Sequence, residues 1–370
     1  MKNSISIIIL IFISIISYSQ SYEFETVIDI ETTNVISQGK TGTCWSFSTS
    51  SFLESEIIRI TGKKIDLSEM YIVRNTYPKK AWNYIMRQGK AQFSEGGLAH
   101  DVINSVKDFG LAPNTAYSGL EANKSRHNHS EMIAVLKGLL DVYIDNSGRQ
   151  LSPKWKEVTE SILDIYLGKN ITTFNYDGVS YTPKSFLEMT KINPKDYVSI
   201  TSFSHKPYNT TFILNIPDNF SNGSFINVKL DDLVAITNKA LKSGYTVELD
   251  CDVSEKTFSS KHGLAVIPND ENSKLDALIK VLPEKSITQA LRQQEFENYN
   301  TTDDHLMHIT GMLKDQNGTT YYKVKNSWGK NSNRIANNGY IYMSESYFRL
   351  KTISIMVHKD IVPKSLLNLN

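Results

Sequence analysis

Cysteine is nearly absent from this chain: 370 residues contain two, Cys44 and Cys251. Two thiols allow at most one disulfide, so no cross-linked framework holds the fold and its stability comes from its core. If either thiol serves as a nucleophile, no structural disulfide forms in the active protein. A surplus of one charge is also missing. Forty Lys and Arg face 39 Asp and Glu, a balance that predicts no nucleic-acid surface. Beyond the N-terminal leader no segment is long and apolar enough to span a bilayer. There is no internal repeat, and low complexity is confined to the leader.

What is present is an ordinary globular composition, 40% hydrophobic and 21% charged, at a length that buries one large core or two ordinary ones. Met1-Lys2-Asn3 followed by the apolar SISIIILIFISII has the charge and core length of a signal peptide, about residues 1–20, and is too short to span. The mature protein is therefore expected to be exported, periplasmic or secreted, with no membrane attachment after cleavage. No cysteine lies near the leader, which excludes a lipoprotein anchor. Loss of Lys2 leaves 39 residues of each sign.

The chemistry centres on Gln38-Gly-Lys-Thr-Gly-Thr-Cys44-Trp45-Ser46-Phe47. A glycine-rich turn delivers Cys44 to the start of a predicted helix that Gly62 stops. A helix N-terminus stabilises negative charge and so favours a thiolate. The loose polar turns before Cys44 predict an accessible thiol. The Gln38 amide and the Cys44 N–H could together donate to an oxyanion. Taken alone, these residues leave a buried structural cysteine equally open.

Later segments supply partners. Asp303-Asp304-His305-Leu-Met-His308-Ile-Thr-Gly311 offers two histidines on opposite faces of a predicted strand, so only one can share a cleft with Cys44. In YYKVKNSWGK, Tyr322, Val324 and Asn326 share one strand face, and a neutral amide there can hold the second ring nitrogen of a base. Gly96 and Gly97 allow close approach of a peptide backbone. Tyr245, Val247, Leu249 and Cys251 alternate with Thr246, Glu248 and Asp250, a half-buried strand with its thiol inward. Asp303, Asp304 and the histidines lack an adequate metal-ligand set, so no metal is expected.

The order Gln38…Cys44-Trp-Ser-Phe, His305-x-Met-x-x-Thr-Gly and Asn326-Ser-Trp328-Gly resembles the papain-like cysteine peptidases. The resemblance implies Cys44 as nucleophile, His305 as base, Asn326 as its orienting group and Gln38 as oxyanion donor. It gives Trp328 the task of covering the His–Asn bond, and Gly96 and Gly97 the wall that holds the substrate's N-terminal side. His308 is left as a structural or surface residue. Thr41 stands where most secreted members carry a structural cysteine. Cys44 and His305 are 261 positions apart, against about 130 to 150 in a minimal domain. The surplus holds helical patterns at HSEMIAVLKGLLDVYI, WKEVTESILDIYLG and Pro183 to Met189. This organisation, with YLGKNITTFNYDGVSYTPKSFLEM and LKSGYTVELDCDVSEKTFSSKHGLA, resembles the bleomycin hydrolase and aminopeptidase C branch.

The fold that follows is α+β: a two-lobed papain-like architecture, a helical lobe and an antiparallel β-barrel-like lobe with a cleft between, plus a helical insertion. The divisions are 21–122 for the helical lobe, 123–228 for the insertion, 229–362 for the β-rich lobe and 363–370 for a tail. The branch implies a cofactor-free aminopeptidase acting on peptide substrates, a homo-hexamer, and a tail whose terminal carboxylate, here on Asn370, captures the substrate's amino group. Two alternatives stand beside it. A secreted papain-like endopeptidase would need an inhibitory propeptide, for which the residues before Gln38 are few. A catalytically inactive peptide-binding relative would have no use for an intact Gln, Cys, His and Asn set.

Overall fold

A computed structural model describes residues 21–121, 123–146, 148, 150–330 and 333–367. Strand β1 (Phe24–Asp29) precedes three helices, α1 (Cys44–Thr61), α2 (Glu69–Met86) and α3 (Ala99–Phe109). Helices α4 (Ser130–Asp145) and α5 (Lys154–Leu167) follow, then a hairpin of β2 (Phe174–Tyr176) and β3 (Val179–Tyr181), and α6 (Pro183–Thr190). The remainder is β4 (Tyr197–Thr201), β5 (Thr210–Ile213), β6 (Ser224–Asn227), α7 (Leu230–Lys242), β7 (Val247–Cys251), β8 (Phe258–Ser259) and β9 (Leu264–Ala265). It ends with α8 (Gln289–Glu297), β10 (His305–Asp315), β11 (Thr320–Lys325), β12 (Tyr340–Ser344), α9 (Glu345–Lys351), β13 (Thr352–His358) and α10 (Lys364–Leu367).

Helix α1 is buried continuously from Cys44 to Ile57, which an amphipathic surface helix never is. It lies between the lobes. Small hydroxyl side chains let both lobes approach it and bond them directly. Ser46 Oγ donates to the Glu69 carbonyl at 2.8 Å, and Ser48 Oγ donates to the Met307 carbonyl at 2.6 Å. Gly62 closes the helix in the left-handed conformation, φ 71°, as its position predicted.

The helical half is built by ordinary caps and ion pairs. Ser68 accepts from the Tyr71 N–H at 2.9 Å at the start of α2, a side-chain N-cap. Arg74 of α2 holds α5 through Glu160 at 2.7 Å and Asp164 at 2.6 Å. Gly110 ends α3 at φ +88°, and a Cβ there would lie 2.3 Å from the Pro183 carbonyl oxygen, so α3 and the start of α6 meet where only glycine fits.

The other half is one sheet in the order β5-β6-β4-β13-β7-β10-β11-β12-β9-β8, with β1 paired to β10. It is largely antiparallel, with parallel pairs at β4·β6 and β9·β12. The β-rich lobe is thus an open sheet and not a closed barrel. Strands β4, β5 and β6, which fall within the predicted insertion, join this sheet. Strand β7 departs from the half-buried expectation: all five residues are buried. Val247, Leu249 and Cys251 enter the core of the β-rich lobe, as predicted, but Glu248 and Asp250 face the other lobe instead of water. Ser48 Oγ reaches Glu248 Oε1 at 3.3 Å.

A second set of buried acids sits deeper in the same seam. Glu54 accepts from the Leu67 N–H at 2.8 Å and from the Thr33 hydroxyl, close to Lys325, whose Nζ donates to Ser51 Oγ at 2.7 Å. Burial pushes the Glu54 carboxyl up to about 7, with Lys325 pulling it back. A carboxyl raised in the folded state favours folding at low pH, and that contribution fades as pH climbs from its unfolded value of 4.5 through about 7. The melting temperature of Glu54→Gln is therefore expected to fall less than that of the unsubstituted protein between about pH 5 and pH 8. Parallel curves over that window would show that Glu54 does not titrate there.

Candidate active site

Cys44 opens α1, and its neighbours are fixed by backbone contacts across the seam. The Gln38 N–H donates to the Ser327 carbonyl at 2.8 Å, and the Gly329 N–H donates to the Ile36 carbonyl at 3.1 Å. These bonds tie the glycine-rich turn to the Asn-Ser-Trp-Gly segment. Thr41 is held from the insertion, with Oγ1 2.8 Å from His129 Nδ1, and the Lys40 N–H donates to the His127 carbonyl at 2.8 Å. The insertion thus braces the position that a disulfide would otherwise hold. Burial, assisted by His127, lowers His129 to about 4, so it stays neutral at physiological pH.

Gln38, Cys44, Gly96, His305 and Trp328 line one cavity of about 650 Å³. His305 begins β10 opposite Cys251. Its Nε2 lies 2.9 Å from Asn326 Oδ1, and the Trp328 ring covers the imidazole with centroids 4.8 Å apart. The Asn326 oxygen also accepts from the Ser327 N–H at 2.7 Å, which fixes the amide and through it the ring. His308 lies three residues on, fully buried, with Nδ1 3.0 Å from Ser51 Oγ. It serves the seam and not the cavity.

Gln38 is clamped at both ends. Its Nε2 donates to the Thr41 carbonyl at 2.6 Å, and its Oε1 accepts from Ser327 Oγ at 2.5 Å. With the oxygen occupied by Ser327, the amide presents its second N–H from a fixed orientation. The Cys44 N–H belongs to the first helical turn, where backbone donors have no intrahelical partner. The paired glycines divide their work. Gly96 lines the cavity, whereas a Cβ on Gly97 would lie 3.1 Å from the Trp45 ring. Gly97 therefore permits the wall to pack on α1. Asn370 lies outside the described residues. The strand before the tail, β13, starts at the level of Cys251 and runs six residues away to His358, about 20 Å at strand rise. Leu366 then packs in the β-lobe core.

The expectation of an accessible thiol is corrected: Cys44 is 8% exposed. Phe93, Ser94 and Glu95 wall the cavity over it. Burial pushes the thiol up to about 12, against the Leu306 N–H that bonds it. Burial also lowers His305 to about 4, against the pull of Asn326. The resting cavity therefore holds a neutral thiol and a neutral imidazole, and among the described residues no hydrogen bond joins them.

Comparison with known proteins agrees with this architecture. Residues 170–370 match the family described as "Peptidase C1-like family", and residues 21–153 match "Papain family cysteine protease". Aminopeptidase C of Listeria innocua is 23% identical, the alignment covering 92% of this chain and 83% of that protein. Aminopeptidase C of Lactococcus lactis subsp. cremoris is 24% identical over 90% and 83%. "Cysteine proteinase 1, mitochondrial" of Saccharomyces cerevisiae is 25% identical over 93% and 78%. The crystal structure of PepW from Lactobacillus rhamnosis superposes with a TM-score of 0.75 at 19% identity, covering 93% of this chain and 84% of that one. The chain is a cysteine peptidase, a hydrolase of the papain type. It belongs to the peptidase C1-like family.

These relatives overturn the expectation of export. They are aminopeptidases C and a cysteine proteinase whose name places it in the mitochondrion, a location inside the cell, and the signal-peptide reading is withdrawn with it. Residues 1–20 lie outside the described residues. No described helix is long and apolar enough to cross a membrane.

Sequence reasoning missed Ser327, His129 and the Leu306 N–H as supports of the site. All three stood within quoted segments, but none carried a signal that tied it to the site. The burial difference between the two thiols gives a direct test. In the native protein at neutral pH, iodoacetamide is expected to modify Cys44 slowly and Cys251, which is fully buried, not at all, with both modified in denaturant. Peptide mass mapping reads this, and native labelling of Cys251 ahead of Cys44 would contradict the placement.

Proposed function

We propose that this chain is an aminopeptidase of the aminopeptidase C type, cleaving peptide or amide bonds through Cys44, His305 and Asn326 with Gln38 as oxyanion donor. The observation that carries the proposal is the meeting of Cys44, Gln38 and His305 in one cavity, with His305 fixed through Asn326. Relatives named aminopeptidase C, aligned over nine-tenths of the chain, support the choice of an aminopeptidase.

In this mechanism the substrate carbonyl enters between Cys44 and Gln38. The thiol proton passes to His305, giving a thiolate and an imidazolium, and the sulfur attacks the carbonyl carbon. Negative charge moves to the carbonyl oxygen, where the free Gln38 N–H and the Cys44 N–H receive it. His305 returns its proton to the departing amine, leaving a thioester on Cys44. A water deprotonated by His305 then releases the acyl group. Asn326 keeps the ring aimed throughout. The buried neutral pair makes proton transfer part of the chemical step, because both groups resist ionisation until a substrate fills the cavity.

In the resembled branch the chain's own terminal carboxylate captures the substrate amine, and the chains assemble as hexamers. For this chain Asn370 in that role, and the hexamer, remain expectations, with light scattering as the direct reading of assembly. The central test is enzymatic. Purified protein is expected to hydrolyse an aminoacyl reporter with a free amine faster than its N-acetylated counterpart. Cys44→Ala is expected to abolish hydrolysis, and Gln38→Ala to lower kcat about 100-fold. Wild-type turnover by Cys44→Ala would remove Cys44 from the mechanism, and a preference for the acetylated reporter would point to an endopeptidase.

A further inference from the structure

The insertion reaches the active site at one point, and the contact is made by backbone and side chain together. Residues 127–129 run beside the glycine-rich turn and pair with it in a short parallel bridge, Lys40 with Asn128. The Lys40 N–H donates to the His127 carbonyl at 2.8 Å, and the His129 N–H donates to the Lys40 carbonyl at 3.1 Å. The approach is so close that a Cβ on Gly39, at φ +74°, would lie 2.6 Å from the His127 oxygen. His129 stands immediately before α4, and its own carbonyl accepts from the Ile133 N–H at 2.9 Å. It is thereby fastened to a helix whose Met132, Leu136 and Leu140 are buried in the core of the helical half. The imidazole does not cap that helix; it turns to the glycine-rich turn instead.

From the imidazole a directed chain of bonds runs to the oxyanion donor. His129 is buried, with Nδ1 2.8 Å from Thr41 Oγ1. Thr41 Oγ1 donates to Thr43 Oγ1 at 3.1 Å, so its proton is committed there and the proton on the shorter bond belongs to the histidine. Thr43 is the residue before Cys44. The carbonyl of the same Thr41 accepts from Gln38 Nε2 at 2.6 Å, while Ser327 holds the other end of that amide. The Thr41–Gly42 peptide is gripped once more, through the Gly42 N–H, by the Glu95 carboxylate from the opposite wall. Without the His129 bond the peptide is pinned at one point and can swing about it, carrying the carbonyl that orients Gln38.

We propose that His129 is a positioning residue for the cleavage reaction: from the insertion, acting through Thr41, it sets the Gln38 amide that receives the oxyanion. The proposal rests on the mechanism above and deepens it. His129 does not line the cavity that holds Cys44 and His305, so its action is on geometry and not on the reacting atoms. An oxyanion donor works only when its N–H lies about 2.7–3.1 Å from the place the charge develops, and a misplacement of about 1 Å costs about 100-fold in rate. Both thiols are free, so no disulfide does this work. The helix that follows His129 lines the cavity with Ile133, Ala134 and Lys137. The insertion therefore supplies a wall of the substrate site and the brace of its oxyanion donor from one rigid element.

The test uses the full-length protein and the free-amine aminoacyl reporter. His129→Phe keeps a ring of similar size and removes the donor, His129→Asn returns a donor to the place of Nδ1, and each is made alone and together with Gln38→Ala. His129→Phe is expected to lower kcat about 10-fold with KM little changed, and His129→Asn to recover most of that loss. Added to Gln38→Ala, His129→Phe is expected to cost no further rate, because the group it positions is gone. Alkylation of Cys44 by iodoacetamide displaces iodide and forms no oxyanion, so its rate is expected to stay at that of the unsubstituted protein. An equal loss with and without Gln38 would assign His129 a purely structural role and overturn the proposal, as would an unchanged kcat. Alkylation slowed in step with kcat would move its action to the thiol and overturn it as well. Thr41→Val removes the other end of the bond and carries the same comparison if His129→Phe does not melt cooperatively. Full turnover by Gln38→Ala would sink the oxyanion assignment itself, and this inference with it, before any His129 variant is made.

Discussion

The structure depends on the packing of α1 across β10. That contact puts the first residue of a helix next to the first residue of a strand, Cys44 beside His305, although 260 residues of chain lie between them. It is secured by side-chain hydroxyls reaching strand backbone and strand side chains, Ser48 to Met307 and Ser51 to His308. A helix lined with leucine would bury more apolar area. It would also hold the lobes further apart, and the small polar residues of α1 exchange hydrophobic gain for close approach and fixed register.

That seam has an electrostatic consequence. Carboxyls sit along it in two groups: Glu54 and Glu69 near Lys325, and Asp218, Asp250 and Asp303, whose charge reaches Cys44. Lys325 lies beside the two glutamates, its Nζ bonded to Ser51 and Thr33. The charge of the three aspartates adds to desolvation in keeping the Cys44 thiol protonated.

Much of the site was legible because its chemistry is local. Gln38, Cys44 and Trp45 are contiguous with a helix start, and Asn326 to Trp328 follow a strand whose alternation points the amide at the cleft. The α1 stop at Gly62 was readable for the same reason. What could not be read is what the lobes do to each other. Glu248 and Asp250 alternate with apolar residues as if they faced water, and only the packing of the other lobe against β7 buries them. The buried thiol, predicted accessible from its polar turns, is another case, because Phe93 and Glu95 cover it from about fifty residues away. Asp218 lies in the loop between β5 and β6 with no pattern of its own, and only the fold brings it against Gly96 in the cavity wall. The export reading rested on a local pattern at the N-terminus, and the named relatives overturned it.

The most direct test of the central claim is a crystal structure of the protein inactivated by a free-amine aminoacyl halomethyl ketone. The account predicts a single thioether on Cys44 Sγ, with the ketone-derived oxygen against Gln38 Nε2 and the Cys44 N–H. An unmodified Cys44, or an adduct whose oxygen points away from Gln38, would contradict it.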